Sequence, residues 1–239
     1  MLSLIKKAIP TSLKIRVRRV IDQIGLNRKI RAGAKSGIGF AKPNYLFKGA
    51  FFLPQDTIVD VGCGFDADFS VYMIKKFGVK TIGIDPTLKH KSSLTKISIE
   101  SGGKFIHKEW AVSATDGKIS FNESENNVSG SILGEHKNIK NGGVKKYEVE
   151  SISLLNLPAR LNLEKIKYIK LDLEGAEYEL IEKIKKEDLE KYEQIFIEFH
   201  HHCVPRYSKE DTLRMARKIE SFGFNSFSLD KHNFLFYRR

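Results

Sequence analysis

Residues 58–70, Ile-Val-Asp-Val-Gly-Cys-Gly-Phe-Asp-Ala-Asp-Phe-Ser, constrain this fold more than any other stretch. An apolar run ends at two glycines, and a helical pattern then continues to Gly78. Strand, tight turn and helix in that order are the unit from which parallel sheets are wound. Taken literally, Gly62 to Ala67 fits the G-x-G-x-x-G/A pattern that sets a pyrophosphate on a helix N-terminus. Asp66 and Asp68 at the mouth of the turn oppose that reading, because carboxylates repel a phosphate. Asp68 can instead cap the helix over 69–77.

From residue 57 the chain alternates between two periods. Stretches 57–61, 80–84, 104–112, 166–173 and 194–199 read as strands. Between them, 69–77, 88–101, 176–186 and 209–222 read as helices, and 224–229 with 234–237 closes the chain as a hairpin. This pattern predicts an α/β fold, a doubly wound, mostly parallel sheet with an antiparallel C-terminal edge strand. Residues 114–150 are dense in Asn, Ser and Gly, with β-like pieces at 118–121 and 145–150. They read as an inserted hairpin or loop over one edge.

Charge divides the chain unevenly. Residues 1–35 hold ten Lys and Arg against Asp22 alone, a surplus of nine out of the chain's +12, which leaves +3 for the other 204 residues. Within that arm Leu13, Val17, Val20, Ile21 and Ile24 recur at helical spacing with basic residues between them, and Gly25 and Asn27 read as the stop. Such a helix suits packing on the domain or an anionic membrane surface, and the weakly charged body makes a nucleic-acid partner the poorer expectation. The glycine-rich stretch 32–39 reads as a linker or lid. The expected organisation is therefore a basic helical arm and linker over 1–40 and one domain over 41–239.

No window approaches the roughly 18 uninterrupted apolar residues of a membrane span. The opening MLSLIKKAIP places its lysines after a short apolar stretch and shows no small-residue cleavage site, so it reads as neither signal nor span. Cys63 and Cys203 are the only cysteines. Two isolated thiols give no disulfide framework, and a cytoplasmic protein, peripheral to a membrane through its arm, is the expectation.

Three strand ends carry the candidate chemistry. The first holds Asp60, Gly62, Gly64 and Phe65, and the next strand ends in Asp85, 25 positions after Asp60, where a carboxylate can accept ribose hydroxyls. S-adenosylmethionine has no phosphate but brings a sulfonium and an ammonium, so an acidic turn suits it and opposes a dinucleotide. The second end is Asp172-Leu173-Glu174-Gly175. Alternation puts Lys170, Asp172 and Glu174 on one face, a costly arrangement unless the strand end opens on a cleft. Asp172 and Glu174 are the candidate groups beside the reacting atoms. The third end, Phe199-His200-His201-His202-Cys203, offers His200 or His202 as a proton acceptor. A metal held by these histidines with Asp172 is conceivable, but magnesium prefers oxygen ligands, and no metal ligands are assigned.

Asp60-Val61-Gly62-Cys63-Gly64 followed by Gly83-Ile84-Asp85-Pro86 resembles the first two motifs of class I S-adenosylmethionine-dependent methyltransferases. Ala111-Val112-Ser113, Ile169-Lys170-Leu171-Asp172-Leu173-Glu174-Gly175-Ala176-Glu177 and Ile197-Glu198-Phe199-His200 are similar to the FkbM-type family, over about residues 45–237. The usual turn has a third glycine where this chain has Asp66. The resemblance implies that Asp60, Gly62, Gly64 and Phe65 line the methionine end of the cofactor. It puts Asp85 at the ribose, and Glu109 and Trp110 beside adenine. It also implies methyl transfer to a hydroxyl of a sugar, glycan precursor or secondary metabolite. RNA methylation and a non-catalytic cofactor-binding module are the alternatives.

Overall fold

The computed structural model describes residues 25–41, 45–49, 52–140 and 143–238. The stripe from Leu13 to Ile24 lies outside them. Residues 25–35 form helix α1, followed by β1 (Ile38–Ala41) and β2 (Tyr45–Lys48), which pair antiparallel. Then come β3 (Thr57–Val61), α2 (Asp68–Phe77), β4 (Lys80–Ile84), α3 (Lys91–Glu100) and β5 (Phe105–Lys108). The insertion follows as β6 (Trp110–Ser113), β7 (Gly117–Ser124), β8 (Gly130–Ser131), α4 (Lys137–Lys140) and β9 (Val144–Ser153). After α5 (Leu157–Arg160) the winding resumes with β10 (Tyr168–Leu171), α6 (Glu177–Lys183), β11 (Gln194–Glu198) and α7 (Lys209–Ser221). β12 (Asn225–Ser228) and β13 (Asn233–Tyr237) end it.

Seven strands form the main sheet in the order β12-β13-β11-β10-β3-β4-β5. The winding reverses between β3 and β10, and ligand crevices form at such switch points. All neighbouring pairs are parallel except those made by β13, which lies between β11 and the outermost β12. The antiparallel strand is thus one place in from the edge. Strand alternation sorts the side chains onto two faces. Val59, Val61, Ile169, Leu171, Ile195 and Ile197 pack with Tyr178, Ile181, Met215 and Ile219 of α6 and α7. Ile58, Tyr168, Phe196 and Leu235 pack with Phe69 and Met73 of α2 and with Leu46 and Phe47 of β2. The Tyr168 hydroxyl donates to Leu46 O across 2.9 Å and fastens β2 to the sheet.

Three sequence readings change. Stretch 104–112 is not one strand: β5 pairs with β4, and after a break at Glu109 β6 pairs with β9 in a separate four-stranded sheet of order β6-β9-β7-β8. Stretch 88–101 opens with a 3-10 turn, Leu88–His90, before α3 begins. Gly25, Asn27 and the expected linker 32–39 interrupt nothing at their positions, since α1 runs through 25–35 and β1 starts at Ile38. Gly33 permits this: a Cβ there would lie 2.8 Å from the Phe227 ring, so the absent side chain lets the helix approach β12.

Gly83 on β4 gives a stability test. A Cβ there would lie 2.5 Å from the Phe105 ring and 2.9 Å from Cys63 Sγ. Overpacking of this kind costs about 1–3 kcal/mol, so Gly83→Val should lower the thermal midpoint by roughly 2–10 °C in a calorimetric scan.

Candidate functional site

One cleft opens at the carboxyl ends of β3, β4 and β10, with β6 and the insertion as its far wall. Its floor is the turn after β3. Gly62 has φ +70°, and its N–H donates to Ile84 O (2.8 Å); a Cβ there would fall 1.9 Å from Asp172 O. Only glycine lets β3 and β10 close this tightly. Gly64 has φ +67°, and a Cβ on it would meet no protein atom within 4 Å, so its peptide edge borders open cleft space. The N-cap of α2 is Ala67, at φ +42°, with no side-chain capping bond. Asp68 therefore does not cap the helix. It sits in the first helical turn, where its Oδ1 accepts from the Tyr45 hydroxyl (3.3 Å). Asp66 and Asp68 both line the cleft.

Asp85 follows β4 at the cleft wall. Oδ2 accepts from Gly64 N–H and Oδ1 from Thr87 N–H, each at 2.9 Å, and His90 Nδ1 lies 3.3 Å from Oδ2. Burial works to raise the Asp85 pKa, but His90 and Thr87 outweigh it and hold the carboxyl below its ordinary value. A buried, ionised carboxylate with spare lone pairs is a ready acceptor for paired hydroxyls. Trp110 and Phe65 also border the cleft.

The opposite wall is built on Lys170. Its side chain is 2% exposed, and Nζ lies 3.3 Å from Asp60 Oδ1 and 3.2 Å from Asp172 Oδ2. It also donates to Gly62 O (3.1 Å) beneath the Tyr45 ring, whose centroid is 5.5 Å away. Burial opposes the ammonium, yet Asp172 and Asp60 more than offset it and hold the Lys170 pKa well above its usual value. Asp60 is fully buried, and its Oδ2 accepts from Ser70 Oγ (2.8 Å).

Behind Asp172 and Glu174 stands His200. Its Nε2 is 3.5 Å from Asp172 Oδ1 and 3.8 Å from Glu174 Oε2, while Nδ1 is 2.9 Å from Glu177 Oε1. Burial disfavours the imidazolium, but Glu177, Asp172 and Glu174 together raise the His200 pKa well above its ordinary value. Glu177 is fully buried and also accepts from Leu173 N–H (2.8 Å), which fixes the strand-to-helix turn. The insertion adds His136, fully buried, with Nε2 2.9 Å from Glu174 Oε2. Burial raises the Glu174 pKa and the two histidines lower it more, leaving a carboxylate in the net. Glu198, ending β11, is pushed up to about 7 by burial and by the charge of Asp172. Ligand atoms of Asp172, Glu177 and His200 lie within 4.8 Å of one another, but the two carboxylates approach opposite ring nitrogens.

Of the residues named from sequence, Gly62, Gly64, Phe65, Asp85, Trp110, Asp172 and Glu174 border one cleft. Asp60, Glu109 and His200 do not. Asp60 points from β3 to the face that holds Lys170, Glu109 turns outward at the strand break to pair with Lys91 (2.8 Å), and His200 is screened by Asp172 and Glu174. Tyr45, His90, His136 and Glu177 were missed. The first three reach the site from distant or unpatterned segments. Only Glu177 carried a signal, as the last acid of the Asp-x-Glu-Gly-Ala-Glu run.

Strand order and cleft position define a Rossmann-like, doubly wound α/β protein with a ligand crevice at its switch point. The sequence profile of the Methyltransferase FkbM domain matches residues 60–226, and the chain belongs to that family. No curated protein sequence matches the chain. Among solved structures it is similar to the fibrillarin pre-rRNA processing protein of Methanococcus jannaschii (11% identity, TM-score 0.45, 87% of this chain and 72% of that one). It is also similar to M. capricolum TrmK in complex with S-adenosyl-homocysteine (15%, 0.37, 79% and 63%). A methyltransferase from Pyrococcus furiosus is a third (9%, 0.40, 90% and 97%).

As a member of that family the protein is a methyltransferase, with S-adenosylmethionine as its methyl donor. The cleft suits that donor: Gly64 leaves room beside the backbone, Asp85 offers a carboxylate for hydroxyls, and Asp66 and Asp68 supply negative charge at the turn. Asp85→Ala should weaken S-adenosylhomocysteine binding by at least about tenfold in a calorimetric titration, given roughly 1.5–3 kcal/mol for charged hydrogen bonds.

The His200 cage predicts a pH signature. A folded pKa above the unfolded value of about 6.5 contributes stability that is full below that pH and is lost as pH rises through the folded value. The stability difference between the native chain and His200→Gln should therefore be largest near pH 6 and shrink in alkaline buffer. Urea unfolding at several pH values measures it.

Proposed function

We propose that this methyltransferase acts on a hydroxyl of an uncharged polar acceptor, a sugar, glycan precursor or secondary metabolite. The observation that carries this reading is the pair of cleft-wall carboxylates, Asp172 and Glu174, backed by Lys170, His200 and His136. S-adenosylmethionine supplies a methyl group on a good leaving group, so the chain has no donor to activate. What it must supply is position and a place for one proton. Holding the acceptor oxygen in line with the methyl is worth up to about 7–11 kcal/mol at the ideal limit. As the O–C bond forms and the C–S bond breaks, the hydroxyl proton passes to Asp172 or Glu174.

His200 has a positioning role in this reading. Enclosed by three carboxylates it stays protonated, so it is a poor base and instead orients Asp172 and Glu174. The same wall disfavours an RNA acceptor: Asp66, Asp68, Asp85, Asp172 and Glu174 line the cleft against Lys170 as its one lysine, and phosphates would be repelled. Product mass spectrometry over a panel of neutral sugars, uronic acids and RNA oligonucleotides tests the acceptor class. With an acceptor in hand, Asp172→Asn should lower kcat about 10²–10⁴-fold while leaving S-adenosylhomocysteine affinity nearly unchanged. A loss confined to cofactor binding would place Asp172 on the donor instead and remove it as proton acceptor.

A further inference from the structure

We propose that the protein docks on anionic lipid bilayers through the outer face of α1 and the apolar rim of the cleft, with the cleft mouth facing the membrane. The helix packs on the sheet at its edge strand β12. Gly33 is the single buried residue of α1, set against Phe227, and Lys29 Nζ donates to Leu229 O (2.7 Å). Arg28, Arg31 and Lys35 are exposed, at spacings of three and four that set them along one helical face, and Leu26 is exposed one turn before Ile30.

The position of this face matters as much as its charge. β12 and β11 are both antiparallel to β13, so β12 runs parallel to the rest of the sheet, and Leu229 follows its carboxyl end. That is the end of the sheet where the cleft opens. Around the mouth, Phe65 (46% exposed) and Val128 (56%) line the cleft, and Leu88 (43%) adjoins Thr87 of its wall. Cations on a helix at the β12 edge and exposed apolar side chains at the cleft mouth, across the same sheet, make two parts of one interfacial surface: the apolar groups enter the head-group region while the cations meet anionic lipid. A nucleic-acid surface would need cations along the cleft itself, where acids stand. The sequence continues the same chemistry, since six further Lys and Arg precede residue 25. Docking in this pose brings the cleft to acceptors held at a membrane, such as lipid-linked or amphiphilic alcohols. The docking itself does not rest on the hydroxyl reading.

Sedimentation of the full chain with vesicles of phosphatidylglycerol and phosphatidylcholine, beside vesicles of phosphatidylcholine alone, tests the proposal. Binding should require phosphatidylglycerol and weaken as salt rises. The variant Arg28→Glu, Arg31→Glu, Lys35→Glu should bind on the order of 100-fold less tightly, at about a factor of five per cation, and Leu88→Asp should bind several-fold less tightly. Unchanged calorimetric binding of S-adenosylhomocysteine certifies that each variant is folded and keeps this test separate from the acceptor question. Equal binding to both vesicle types, or full binding by the triple variant, would overturn the proposal. So would binding to an RNA duplex that displaces the vesicles.

Discussion

The site depends on a buried ammonium. Lys170 sits on the central strand β10 directly across from Asp60 on β3, and the two strands could not bring either group inside alone. An unpaired charge at that depth would cost several kcal/mol, so Asp60, Asp172, Gly62 O and the Tyr45 ring must all be in place for Lys170 to stay there. The same contacts tie the glycine turn after β3 to the carboxylate wall of the cleft. Gly62, whose carbonyl accepts a hydrogen bond from the lysine, is also where β3 and β10 come too close for any side chain. Electrostatic pairing and steric closeness thus fix one geometry between the two halves of the cleft.

A second layer of charge sets the protonation of the wall. His200 among Asp172, Glu174 and Glu177 keeps its proton, and Glu174 is held as a carboxylate by His200 and His136. The wall turns carboxylate oxygens toward the cleft and keeps the protonated nitrogens of His200 and Lys170 behind them. The insertion completes this arrangement. Phe121, Gly130, Ser131 and Ile132 close the cleft, Ser131 Oγ donates to Leu173 O (3.1 Å), and Glu123 accepts from Tyr147 and from Leu88 N–H at the rim. A segment that looks like a polar loop in sequence is a structural wall of the site.

Much of the fold was legible because its strands are continuous apolar runs with glycine or Asp-Pro at their ends. Strands β3, β4, β10 and β11 and helices α2 and α7 fall within two residues of the stretches read from period and punctuation. The misreadings share one cause, which is that local pattern does not state the partner. Stretch 104–112 is a uniform β pattern, but β4 and β9 claim different halves of it. Gly33, Gly37 and Gly39 made 32–39 look like a linker, whereas Gly33 is small in order to pack.

For the site, the sequence by itself determined which chemistry is present: the glycine turn, the carboxylates at three strand ends and the lysine on β10 follow from motif and alternation. It also determined that a phosphate is unwelcome, since Asp66 and Asp68 flank the turn wherever it folds. Only the tertiary structure decided which of these groups meet. Whether Asp60 faces a ligand or Lys170, whether His200 accepts a proton or holds one, and that His136 belongs to the site at all are set by strand register and by an insertion folding back. Spacing along a chain fixes direction within one element; distances between elements, and the pKa values that follow from them, arise only from packing.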